Sequence, residues 1–173
     1  MAMGSAAKPL QSLYEQFLAV PDHLVAEIIR GALVTQPRPA PRHARAASKL
    51  GAKLDGPFDS GIDGPGGWFI IDEPEVHLER NIVVPDLAGW RRERMPQLPD
   101  TAYFTQAPDW VCEVLSPSTQ ALDRTDKMPI YAEHGVGNAW LVDPLAKMLE
   151  VYRLDSGRWL QIGAWAGDAR VKA

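Results

Sequence analysis

The sequence predicts an α/β fold arranged around one buried strand, and three observations carry that expectation. Trp110-Val111-Cys112-Glu113-Val114-Leu115 is a short apolar run, rich in β-branched and aromatic residues and closed by Ser116-Pro117-Ser118-Thr119. That is the pattern of a strand covered on both faces. Helical periodicity recurs on either side of it, and paired β-prone runs near the two ends read as an N-terminal and a C-terminal hairpin. At 173 residues the chain is long enough for one domain with a real core and short for two. We therefore expect a single domain over residues 9–168, with tails at 1–8 and 169–173.

Leu10, Leu13, Tyr14, Phe17 and Leu18 stand at helical spacing until Pro21 stops them. Val25 to Ile29 and Ala32 to Val34 flank Arg30-Gly31, where a glycine suits a tight turn, and Glu27 lies in the first arm. Pro37, Pro39 and Pro41 make a stiff connector, after which Arg42 to Leu54 reads as a helix and Asp55 to Gly67 as a glycine-rich loop. Strands are expected at Trp68 to Ile71, Glu75 to Glu79 and Ile82 to Leu87, with Arg80-Asn81 as the turn between the last two. Arg91 to Pro108 shows neither period and reads as a long loop. Leu122 to His134 reads as a helix that Gly135 ends, although Pro129 calls for a late start or a kink. Ala139 to Val142 is another buried strand, and Met148 to Leu154 with Trp159 to Trp165 forms the final hairpin.

Composition narrows the function. Hydrophobic residues at 46% and charged residues at 23% are those of an ordinary globular protein, and no apolar stretch approaches a membrane span. The single Cys112 excludes an internal disulfide framework and a thiolate zinc site, so a reducing, cytoplasmic setting is expected. A net charge of −4 exerts no global pull on nucleic acid. Locally the balance reverses: from Pro37 to Leu54, Arg38, Arg42, Arg45, Lys49 and Lys53, with His43, occur without an acidic residue. Arg42, Arg45, Lys49 and Lys53 recur at three- and four-residue spacing, which is either a solvated helix face or a stripe that tracks phosphates.

One residue does not belong in the central strand. Glu113 puts a carboxylate among apolar neighbours, and an unpaired buried charge costs several kcal/mol or is neutralised. A bound cation, a lysine or a shared proton are the available compensations. Asp86 stands after a second apolar run, Ile82-Val83-Val84-Pro85, so adjacent strands would bring the two carboxylates together. Oxygen ligands without histidine or thiolate suit a hard ion such as magnesium or manganese.

Val84-Pro85-Asp86-Leu87-Ala88, then Pro108-Asp109 running into the central strand and Ser116-Pro117-Ser118-Thr119, then Asp123, Lys127, Tyr131, Gly135-Val136 and Trp140-Leu141-Val142-Asp143-Pro144 carry a resemblance. From about Glu27 to Leu154 the chain resembles the Uma-type restriction endonuclease family of the PD-(D/E)XK nuclease superfamily. The resemblance implies a restriction-endonuclease-like fold: a central mixed β-sheet flanked by helices, with the two hairpins added. It also implies that Asp86 and Glu113 bind the metal and that a lysine assists the attacking water. Two residues after Glu113 stands Leu115 rather than lysine, and the Uma-type pattern supplies Lys127 from the following helix instead. Glu27 and His43 match the family's early glutamate and helix-start histidine, as secondary candidates.

The implied chemistry is metal-assisted hydrolysis of a phosphodiester in nucleic acid, with DNA as the expected partner and the main-chain carbonyl of Val114 as a further metal ligand. Arg42, Arg45 and Lys49, together with Arg91 and Arg92 in Arg91-Arg92-Glu93-Arg94, are the expected contacts to the nucleic-acid backbone. Two other readings remain open: a catalytically silent module that keeps the fold, and a hydrolase of a small phosphoester. Trp159, Leu160, Ile162 and Trp165 in the last hairpin suggest a homodimer, or else simply cover the core.

Overall fold

The computed structural model describes residues 12–168. Leu10 and the two expected tails lie outside the described residues. The chain runs through α1 (Leu13–Leu18), β1 (Leu24–Ile29), β2 (Ala32–Pro37) and α2 (Pro41–Leu54) to β3 (Trp68–Asp72), β4 (Val76–Leu78) and β5 (Asn81–Val83). It continues through β6 (Leu87–Arg91), β7 (Trp110–Val114), α3 (Gln120–Leu122), α4 (Met128–Glu133), β8 (Asn138–Asp143), β9 (Met148–Asp155) and β10 (Arg158–Ala166).

Among the described residues ten strands form two sheets, one in the order β2-β1-β5-β4 and one in the order β10-β9-β8-β7-β6-β3. β7 sits inside the larger sheet, parallel to β8 and antiparallel to β6, so that sheet is mixed. Neither hairpin is an appendage. β1 pairs with β5 and so founds the smaller sheet, while β9 pairs along β8 and extends the larger one. Both hairpins turn through two residues of positive φ, Arg30-Gly31 and Ser156-Gly157, the geometry that matches strand twist.

The alternation along β7 sorts the core. Val111 packs with Ile29, Val76, Val83, Ile130, Tyr131 and Leu141, a cluster that joins the two sheets and α4. Trp110 and Cys112 face the other way, against Leu54 and Leu50 of α2 and Leu87, Trp68 and Trp140. α1 is held by a capping box between Ser12 and Glu15 and buries Phe17 against Ile28 and Ile82.

Three local expectations need correction. The apolar run from Ile82 to Leu87 is two strands in different sheets, because Pro85 cannot donate to a ladder and the chain crosses over at Val84-Pro85-Asp86. The turn before β5 is Glu79-Arg80, with Glu79 at φ 53°, whereas Asn81 is buried in the strand and accepts the Arg30 N–H at 2.9 Å. The helix around Pro129 does not start late: α3 and α4 are joined by a π turn, Asp123–Lys127. The Met128 N–H reaches back to the Asp123 carbonyl, and this widened turn relieves the crowding that a proline ring imposes on the preceding turn. A similar π turn, Asp55–Asp59, extends α2 into the expected loop. No helix among the described residues is long and apolar enough to cross a membrane.

Candidate active site

The crossover from β5 to β6 positions Asp86. Its Oδ2 accepts the main-chain N–H of Val114 at 2.7 Å, which pins the carboxylate to the end of β7. Glu113, one residue earlier, points to the opposite face from Cys112 and is 2% exposed. There it meets the helical segment after β7. Asp123, Lys127 and Tyr131 recur every four residues along that segment, and all three are buried.

Lys127 is the centre of the cluster. Its Nζ lies 2.9 Å from Glu113 Oε1, 3.1 Å from Glu27 Oε1 and 3.9 Å from Asp123 Oδ1, and it donates to the Val84 carbonyl at 3.2 Å. The Tyr131 hydroxyl donates to Glu113 Oε1 at 2.5 Å, and the Val84 N–H donates to Glu27 Oε1 at 2.8 Å. One ammonium thus faces three buried carboxylates. Burial pushes the Glu113 carboxyl well above the usual carboxylate range, against the pull of Lys127. Burial likewise raises Asp123 to about 6, with Lys127 again opposing. Burial alone would lower Lys127, but Glu113 and Glu27 outweigh it and hold the ammonium protonated. The cluster keeps its cation and still carries excess negative charge, which a proton or a further cation must offset.

His43, in the first turn of α2, has Nε2 3.4 Å from Asp86 Oδ2, and its Nδ1 has no partner among the described residues. The Asp86 hydrogen bond raises its pKa, against burial, and the Val114 carbonyl adds to the rise. His43 therefore attends both the Asp86 carboxylate and the main-chain oxygen expected to ligate metal.

The donor set suits a hard cation in one specific respect. Asp86, Glu113 and Glu27 each commit one carboxylate oxygen to protein partners and leave the other without a hydrogen bond among the described residues. They do not form a closed cage: among the described residues no three His, Cys, Asp or Glu side chains stand in a ready metal-ligating arrangement. Two carboxylates completed by water is the manner of magnesium, which sheds its hydration shell reluctantly.

Asp86, Glu113, Lys127, Glu27, Asp123 and His43 all line one cavity of about 350 Å³, within the range of small-ligand sites. Gln36, Arg38, Glu73 and the Ser116 to Thr119 turn form the rest of its polar wall. The expected nucleic-acid contacts divide. Arg42, Arg45 and Lys49 are exposed along α2, whose first turn borders the cavity. Arg91 closes β6 at the end opposite Asp86, about 16 Å along the strand at ~3.3 Å per residue. Arg92 is tied to Asp59 at 2.6 Å, so neither joins the acidic cavity.

Asp123 and Tyr131 are the contributors that a residue-by-residue reading undervalues. Their spacing from Lys127 at i−4 and i+4 is the signal that would have found them, since it puts all three on one helix face. Arg38 carries no such signal, because only the fold of the proline connector brings it to the cavity.

Residues 14–172 match the model of the Uma2 family, described as "putative restriction endonuclease". Among solved structures, the crystal structure of a putative nuclease of the DUF820 family from Anabaena variabilis superposes with a TM-score of 0.73 at 22% identity. The match covers 95% of this chain and 89% of that one and shows a shared fold. No curated protein matches the chain.

Proposed function

Because the chain belongs to the Uma2 family of putative restriction endonucleases, we propose that it is a divalent-metal-dependent endonuclease whose substrate is DNA. The observation that carries the reading is the meeting of Lys127 with Glu113 and Glu27 beside Asp86, in a cavity that reaches the surface next to a basic helix. Asp86 and Glu113 would hold magnesium or manganese through their uncommitted oxygens, with the Val114 carbonyl as an additional donor. Such an ion, when bound, lowers the pKa of a coordinated water and offsets negative charge on a phosphate. Lys127 supplies a fixed ammonium for charge developing on the phosphate, held in place by Glu27 and by the Val84 carbonyl. Tyr131 orients Glu113 by its hydrogen bond. Arg42, Arg45 and Lys49 run away from the cavity along α2 and suit phosphates flanking the cut.

The test is nicking of supercoiled plasmid in magnesium. Glu113→Gln and Lys127→Met are each expected to lower the rate by at least about a hundredfold. If purified, folded wild type leaves plasmid intact in magnesium and in manganese while hydrolysing a chromogenic small diester, the substrate is a small phosphoester instead.

One observation favours the silent module. The bonds of Lys127 Nζ are already saturated within the protein, as a purely structural ion network would leave them. DNA retention that Glu113→Gln leaves unchanged, with no cleavage by wild type, would establish that reading.

A homodimer also fits. β10 is an edge strand of nine residues that carries no charge beyond Arg158 and leaves Leu160 46% and Ile162 48% exposed. Light scattering should give twice the chain mass, and a monomer would refute the pairing. A cytoplasmic setting goes with the single thiol, Cys112, which is fully buried and free.

A further inference from the structure

A second cavity lies across the larger sheet from the acidic one, and it does not depend on the nuclease reading. It measures about 210 Å³ and is walled by Trp68, Trp110, Trp140 and Phe58, with Arg91 and Asn138 as its polar members. The register explains why the aromatic rings gather there. Trp68 pairs with Arg91, Gly89 with Trp110, and Trp110 with Asn138, so all of these share one face. Gly89 lets these side chains close onto the strand: a Cβ there would stand 3.1 Å from Ile70, 3.2 Å from the Trp68 ring and 3.3 Å from that of Trp110. Trp110 and Trp140 meet edge to face with centroids 5.1 Å apart. The Trp110 indole N–H is buried without an acceptor among the described residues.

The lining also has a definite electrostatic character. The Arg91 guanidinium sits 5.2 Å over the Trp68 ring, and among the described residues no carboxylate contributes to the wall. The one ion pair of Arg91 among the described residues, to Glu93 at 3.7 Å, is exposed on both sides and worth little. The Asn138 side chain makes no hydrogen bond to any described residue, which leaves a free donor and acceptor at the edge. Flat aromatic walls, a cation stacked on one of them and an amide beside it suit a planar heteroaromatic ring that carries an anion. The cavity is smaller than the ~300 Å³ at which drug-sized ligands begin, which limits the enclosed part of the occupant to one ring system.

The geometry points to a binding site for a nucleoside monophosphate, its base against the tryptophan rings and its phosphate on Arg91. The same chemistry could come from free nucleotide or from the 5′-phosphorylated end of a single strand. The site is separate from the acidic cavity, because Trp110 and Glu113 lie on opposite faces of β7.

The test follows tryptophan fluorescence of the full chain, with EDTA present so that metal-dependent binding in the acidic cavity makes no contribution. AMP is expected to quench saturably, with adenosine and inorganic phosphate each at least about tenfold weaker. Arg91→Ala should weaken AMP at least about tenfold and leave adenosine unchanged, while Trp140→Leu, checked for fold by circular dichroism, should weaken both. Tighter binding of a 5′-phosphorylated oligonucleotide than of AMP identifies a strand end, and equal or weaker binding identifies the free nucleotide. Absence of saturable quenching by AMP, or an unchanged AMP affinity in Arg91→Ala, overturns the proposal.

Discussion

Lys127 Nζ stands 2.9 Å from Glu113 Oε1, and the contact joins the π turn after β7 to the middle of the larger sheet. Both side chains are almost wholly buried, so neither charge has water to fall back on. Removing one partner of such a pair costs far more than the pair contributes, because the other is left charged in a low dielectric. Lys127→Met should therefore destabilise the protein by roughly 3–5 kcal/mol in urea unfolding. The double variant with Glu113→Gln should recover a large part of that loss, and strictly additive effects would show that the pair is not coupled.

Tyr131→Phe deletes only the hydroxyl that reaches Glu113. A hydrogen bond to a charged group contributes about 1.5–3 kcal/mol, and the unfolding free energy should fall by that order. Magnesium-dependent nicking should fall further in proportion than in a distant variant of equal stability, since the loss also frees Glu113 to turn.

Asp123 titrates near 6 in the folded protein against an ordinary carboxylate value near 3.8. A carboxyl raised by folding contributes stability below its unfolded pKa and loses it as pH rises through the folded value. Wild type should thus lose stability relative to Asp123→Asn between about pH 4 and pH 6, by up to ~3 kcal/mol, after which the gap is constant. Denaturation curves of the two proteins that keep a fixed separation across that window would contradict the assignment.

A divalent cation relieves the same excess charge. Magnesium should raise the melting temperature at pH 7.5, and by less at pH 5.5, where a proton already occupies Asp123 in most molecules. Glu113→Gln should abolish the shift. Equal shifts in wild type and variant would place the ion elsewhere.

If α2 carries the nucleic-acid backbone, Arg42→Ala, Arg45→Ala and Lys49→Ala should each weaken DNA binding and lower the slope of log affinity against log salt by about 1. Arg92→Ala, which removes contacts to Asp59, the Trp68 carbonyl and the Phe69 ring, should leave that slope alone.

Much of this molecule was legible along the chain. The buried run at Trp110 to Val114, the N-terminal and C-terminal hairpins with their positive-φ turns, and the basic helix follow from local pattern, because period, turn chemistry and capping act over a few residues. Glu113 declared itself by being charged among apolar neighbours. The identity of its compensator did not. Three possibilities stood open, and only tertiary packing put Lys127 there, together with Glu27 from a strand more than eighty residues away and the Asp123 and Tyr131 of the same helix face. The split of the run at Pro85-Asp86 between two sheets, and the separation of Arg91 and Arg92 from the acidic cavity, were likewise decided by long-range pairing. Local sequence determines which face of a strand or helix a residue occupies; which other face it meets depends on contacts distant in sequence, and those exist only once the chain has closed on itself.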